Sequence, residues 1–236
     1  MDFDRFSHIS FDCYGTLIDW ESGILAALVP LMARHGIEID PRRLLEAYAF
    51  AEASAEQPDP ESGRAHRSYR QVLASTTDAL GNRLGFVPAE EERGLLADSL
   101  PDWPAFEDSV EALRRLGAGH ELVVLSNTDR DLFAATQERL DTSFSAVITA
   151  QDLEVYKPSL RFFEMAEERL GVPRTRWLHV AQSCYHDIAP AKALGWTTVH
   201  IDRRRGQEGT GATPASAAEP DLRCTSLLEL ADCMGA

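Results

Sequence analysis

Apolar positions fall into two kinds of pattern along this chain, and the change from one to the other divides it. His8-Ile9-Ser10-Phe11 is a short apolar-rich run that ends in Asp12, with Gly15 and Thr16 just beyond, as a buried strand entering a tight turn would read. A carboxylate is therefore expected at the carboxyl end of the first strand. No comparable run follows over residues 20–103. There, apolar residues recur at helical spacing over 24–35, 42–56 and 68–84, and Pro58-Asp59-Pro60-Glu61-Ser62-Gly63 reads as a loop. Beyond it, strand patterns at 120–126, 146–149, 177–181 and 197–201 alternate with helical ones at 131–140, 160–170 and 188–194, and a short helix near 227–232 closes the chain. Such alternation builds a parallel sheet with crossover helices, and ligands collect outside the carboxyl ends of its strands. The expected fold is α/β, a doubly wound parallel sheet made by residues 1–19 and 104–236, with a helical cap of residues 20–103 inserted after the first strand and roofing the site. The stretch 203–220, with three arginines, glycines and small residues, reads as a mobile loop.

Charge narrows the partners. A formal net charge of -15 repels phosphate backbones and anionic membranes, which excludes nucleic acid and lipid surfaces as partners and means that a small anionic substrate needs a local cationic pocket. There is no apolar run of about 18 residues, and the acidic start MDFDRFSHISFD lacks the pattern of a signal peptide, so the expected location is cytoplasmic. Cys13, Cys184, Cys224 and Cys233 have no CxxC spacing and read as reduced thiols.

Four polar clusters each end or follow an expected strand: Asp12-Cys13-Tyr14-Gly15-Thr16, Ser126-Asn127-Thr128, Lys157-Pro158 and Gln182-Ser183-Cys184-Tyr185-His186-Asp187. Each has a plain structural reading. Asp12 is a turn residue, Ser126-Asn127 a strand terminator, Lys157 a solvated helix-start lysine before Pro158, Asp187 a helix cap and Tyr14 a packing residue. Together, in this order, they closely resemble the four motifs of the haloacid dehalogenase superfamily over essentially the whole chain. The resemblance implies a Rossmann-like core and a nucleophilic Asp12.

Two positions separate branches of that superfamily. Its phosphatases place an aspartate two residues after the nucleophile to protonate the leaving alcohol, and here that residue is Tyr14; Phe11-Asp12-Cys13-Tyr14-Gly15-Thr16-Leu17 is similar to the opening of the L-2-haloacid dehalogenases, where a halide leaves without a proton. Those phosphatases also use an aspartate at the position of Gln182 to hold magnesium. A hard dication needs more negative oxygen than Asp12 and Asp187 supply, so neither a catalytic metal nor any other cofactor is expected.

The implied reaction is attack of Asp12 on a saturated carbon of a small carboxylate, above all a 2-haloacid, giving an aspartyl ester. Lys157 keeps Asp12 ionised, Asp187 activates the hydrolytic water, and Tyr14, Thr16, Ser126, Asn127, Gln182 and Ser183 line the substrate site. The dehalogenases carry Ser-x-Asn just before the final aspartate, whereas this chain has Gln182, Ser183 and Cys184. Arg42, Arg43, Arg67 and Arg70 are mostly helix-face charges, one of which could clamp a carboxylate. His186 and Asp187, being adjacent, should point apart. Competing readings are a magnesium-dependent phosphatase of small phosphoesters, hydrolysis at another electrophilic carbon such as a strained ring, and a binding protein that kept the fold. A homodimer is suggested by the resemblance alone.

Overall fold

A computed structural model describes residues 1–57 and 66–236, so the loop expected at 58–63 lies outside the described residues. Six strands form one parallel sheet: β1 (His8–Phe11), β2 (Glu121–Ser126), β3 (Ala146–Thr149), β4 (Trp177–Ala181), β5 (Thr197–Ile201) and β6 (Leu222–Cys224). Their order is β3-β2-β1-β4-β5-β6, and each neighbouring pair runs parallel. After β1 the chain steps to one side through β2 and β3, then returns to the other side with β4. The order thus reverses between β1 and β4, and a crevice opens there at the strand ends. All of β4 and residues 9–11 of β1 are buried, which explains why these strands read as apolar runs rather than as alternations.

Between β1 and β2 lie α1 (Trp20–Arg34), α2 (Pro41–Ala55), α3 (Tyr69–Leu84), the short α4 (Leu95–Ser99) and α5 (Ser109–Leu116). Their starts are written locally. The Asp19 carboxylate accepts from Ser22 N at the head of α1. Asp40 caps α2 ahead of Pro41, and Ser68 forms a reciprocal capping box with Gln71 at α3. Each such cap contributes on the order of 1 kcal/mol. The rest of the chain supplies α6 (Arg130–Leu140), α7 (Ala150–Leu153), α8 (Leu160–Leu170), α9 (Ala189–Ala193) and α10 (Leu227–Met234). Among the described residues, no helix is long and apolar enough to cross a membrane.

The segment 203–220 departs from the expectation of a mobile loop. The Arg203 guanidinium donates to the Thr16 carbonyl at 2.8 and 3.1 Å and pairs with Asp108 at 2.8 Å. Arg204 pairs with Glu21, and Ala212 and Thr213 are buried. Two of the arginines find partners in the carbonyl of the first turn and in acids at the head of α5 and on α1, and these contacts dock the segment beside the crevice.

Candidate active site

The site begins where β1 stops. Asp12 N donates to Val180 O at 3.1 Å, so the carboxylate is fixed by the sheet ladder itself. The chain then folds back: Leu17 N, Ile18 N and Thr16 N all donate to Cys13 O, at 2.7, 3.1 and 3.2 Å. Gly15 takes a positive φ of 91°, and a Cβ there would lie 2.9 Å from Trp20 Nε1. Both the backbone conformation and the space require glycine. Thr16 Oγ1 donates to Asp12 Oδ2 at 2.7 Å and accepts from Gln182 N at 2.9 Å, tying the turn after β1 to the turn after β4.

Lys157 closes the other side. Its Nζ donates to Asp12 Oδ1 at 2.9 Å, Asp187 Oδ1 at 2.6 Å and Leu125 O at 2.9 Å, so its three donors are all engaged. It is not the solvated helix-start lysine of the plain reading: it is 1% exposed and lies three residues before α8. Asn127 holds it in place, accepting from Lys157 N at 2.8 Å and donating to Lys157 O at 3.0 Å. Burial works to discharge the ammonium, but the two carboxylates outweigh it and raise Lys157 above the usual lysine range. For Asp187, burial is outweighed by Lys157 and His179, and the carboxyl is held below its ordinary value. For Asp12, burial wins over Lys157 and Thr16, and the carboxyl moves up. On acidification Asp12 therefore protonates before Asp187.

Asp187 sits in a π-helical turn, Cys184–Ile188, that Ser183 caps by accepting from His186 N at 2.8 Å. Its Oδ1 accepts from Lys157 and from His179 Nε2 at 3.0 Å, while His179 Nδ1 accepts from Ser10 Oγ at 2.9 Å. Its Oδ2 is buried with no partner. His179 escaped the sequence reading. The signal for it is the pairing of Ser10 with His179 across β1 and β4, which requires the strand register to be known. His186 does point away from Asp187: its Nδ1 lies 3.2 Å from Ser183 Oγ, and burial depresses its pKa to about 4.

These groups enclose a cavity of about 30 Å³ whose lining includes Asp12, Tyr14, Ser126, Asn127, Lys157, Gln182, Ser183 and Asp187. That volume holds about one or two waters. Ser126 Oγ is buried in it without a partner. The Tyr14 ring lines it, but the hydroxyl meets Thr136 Oγ1 at 2.8 Å and so anchors α6. The Gln182 side chain accepts from Thr213 at 3.2 Å. A helical roof was expected, but not the groups it brings: α2 contributes Glu52, its C-cap residue is Glu56, and α3 contributes Tyr69. Tyr69 O–H donates to Glu52 Oε1 at 2.7 Å, and Asn127 Nδ2 donates to Glu56 Oε1 at 2.9 Å. Burial pushes Glu52 up to about 7 and, together with the charge of Glu52, lifts Glu56 well above the usual carboxylate range. Glu52 and Glu56 follow the buried Tyr48 at successive four-residue intervals, a usable signal because it continues the apolar stripe of α2 through both acids.

None of the four candidate arginines reaches this cavity. Arg42 lines a neighbouring, more open cavity of about 430 Å³ that shares Trp20 and Gln182 with it. Arg67 donates to Ala55 O and to Ser75 Oγ, Arg70 pairs with Asp131 at 2.7 Å, and Arg43 lines neither cavity. Among the described residues, no group of three or more His, Cys, Asp or Glu side chains converges as a metal-ligand set.

A doubly wound parallel sheet with a lysine-bridged pair of aspartates at its switch point belongs to an α/β enzyme of the hydrolase kind. Residues 6–195 match the model of the haloacid dehalogenase-like hydrolases, and the chain belongs to that family. It is 29% identical over 202 residues to (S)-2-haloacid dehalogenase 4A of Burkholderia cepacia, covering 82% of each protein. It is 30% identical over 184 residues to haloacid dehalogenase-like hydrolase domain-containing protein 3 of Danio rerio, covering 73% of this chain and 75% of that one. Its fold matches that of L-2-haloacid dehalogenase from Xanthobacter autotrophicus with chloropropionic acid covalently bound, at a TM-score of 0.77 and 21% identity, over 98% of this chain and 99% of the other.

Proposed function

We propose that this enzyme hydrolyses a carbon–halogen bond at a saturated carbon through an ester on Asp12, with residues 20–103 acting as a cap over residues 1–19 and 104–236. The observation that carries the reading is the Lys157 ammonium shared between Asp12 Oδ1 and Asp187 Oδ1, with a tyrosine rather than an acid at position 14. Asp12 displaces the halide, which departs without needing a proton. Lys157 keeps the carboxylate charged, and Thr16 orients it. In the second half, a water bonded to the free Oδ2 of Asp187 gives up a proton and attacks the Asp12 carbonyl. N–H groups of the turn after Asp12 stabilise the oxyanion, and the alcohol leaves with an oxygen from Asp12, taking from Asp187 the proton that the water gave up. His179 fixes Asp187 for that role. Relatives that carry the name (S)-2-haloacid dehalogenase support a small halogenated substrate and make 2-haloacids the first panel to assay.

The test follows the oxygen. In a single turnover with excess enzyme in oxygen-18 water, the label should enter the Asp12 carboxylate, and the product hydroxyl should stay unlabelled. Mass spectrometry of the peptide holding Phe11 and Leu17 reads the outcome. Label in the product with an unlabelled Asp12 peptide would make Asp12 a general base and refute the ester.

A further inference from the structure

We propose that Glu52 and Glu56 make the roof of the Asp12 cavity a receptor for a hydrogen-bond-donating nitrogen, so that the group beside the reacting carbon is an amide or an ammonium in preference to a carboxylate. The inference rests on the reading that the Asp12 cavity takes the substrate.

α2 and its C-cap residue present the two carboxyl groups one turn apart, and both are buried. Glu52 Oε1 is held by Tyr69, but Glu52 Oε2 is buried with no partner. Glu56 Oε1 is held by Asn127, and its Oε2 lies 3.8 Å from His186 Nε2, a second buried atom without a partner. Above about pH 7, where Glu52 is ionised, its Oε2 is an unpaired buried acceptor, which is costly, and a donor brought by the substrate removes that cost. A carboxylate would do the reverse. It would enter a space already lined by Asp12, Asp187, Glu52 and Glu56, where Lys157 is the only cation among the described lining residues and has no free N–H. Like charges held this close in a low dielectric cannot all stay ionised. A cation, in contrast, would draw Glu52 into its charged form.

Non-reacting analogues separate this inference from the chemistry of Asp12. Trp20 lines the cavity, so its fluorescence reports occupancy when the full-length enzyme is titrated at pH 8 with propionate, propionamide or propylammonium. Both nitrogen compounds should bind at least about tenfold more tightly than propionate. Glu52→Gln and Glu56→Gln should each reduce the margin of propylammonium over propionate. Tighter or equal binding of propionate by the wild type overturns the proposal. So does a lack of saturable response to either nitrogen compound, or an unchanged margin in both folded variants. Chloride release should likewise be faster from 2-chloropropionamide than from 2-chloropropionate, and the opposite order counts against the proposal. The binding order involves no attack by Asp12 and stands whatever the oxygen-18 experiment returns.

Discussion

Replacing Glu52 by glutamine should stabilise the enzyme, and the gain should grow with pH. The carboxyl is 3% exposed, and burial raises its pKa from 4.5 to about 7. The folded chain therefore holds this proton more tightly than the unfolded chain does. Below pH 4.5 both states are protonated and burial of the group costs little. Between 4.5 and about 7 the unfolded chain releases its proton while the folded chain keeps it, so stability falls as pH rises. Above 7 the full difference is lost; a shift of about 2.5 pH units at about 1.36 kcal/mol each is about 3 kcal/mol. Glutamine is neutral throughout and keeps an oxygen that can accept from Tyr69 O–H. The variant should thus exceed wild type by under about 1 kcal/mol at pH 5 and by about 3 kcal/mol at pH 8, or roughly 6–12 °C in Tm for a domain of this size. Urea unfolding at both pH values, backed by calorimetry, measures it. An advantage that is flat across this range, or a loss at pH 8, would refute the burial argument.

Lys157→Ala should lower kcat by more than about 100-fold and, since it leaves two buried carboxylates without their cation, also cost about 3–5 kcal/mol of stability; steady-state kinetics and urea unfolding test both halves. Asp187→Asn should permit ester formation and slow its hydrolysis, so that intact-protein mass spectra show a substrate-derived adduct on the peptide containing Asp12; a variant that is inactive and carries no adduct would remove Asp187 from the second half-reaction. Activity should be unchanged in EDTA, because Lys157 supplies the positive charge between Asp12 and Asp187; loss in EDTA with rescue by magnesium would restore the phosphatase reading.

Strands β1 to β5 were legible because each is a short apolar run with turn residues behind it, and most helix starts were legible because their caps are local. What stayed hidden depends on distant partners. β6 has three residues and gains its identity only by pairing with β5. α5 is short but amphipathic, with Ser109, Ala112, Leu113 and Leu116 buried, and its period went unread. In the site, Asp12, Thr16, Lys157 and Asp187 could be found because their polar clusters follow strands in a recognisable order. Asn127 was expected to serve the substrate, yet its amide is bonded to the Lys157 backbone and to Glu56, a consequence of how the turns after β2 and before α8 pack. Glu52, Glu56 and His179 enter through helix docking and strand register, which no local motif encodes.

The bonds of Asn127 make one side chain answer to two parts of the molecule. Its Nδ2 donates both to Glu56, the C-cap of α2, and to the carbonyl of Lys157, whose ammonium pairs with Asp12. If α2 lifts to admit a substrate, Nδ2 loses one acceptor and the other bond is free to readjust. Any free energy by which lifting loosens Lys157 must return, by reciprocity, as the same free energy by which a settled Lys157 draws α2 down. Opening the entrance and arming the nucleophile are then opposite ends of one equilibrium, and an enzyme caught with α2 raised would be less reactive toward whatever it had just let in.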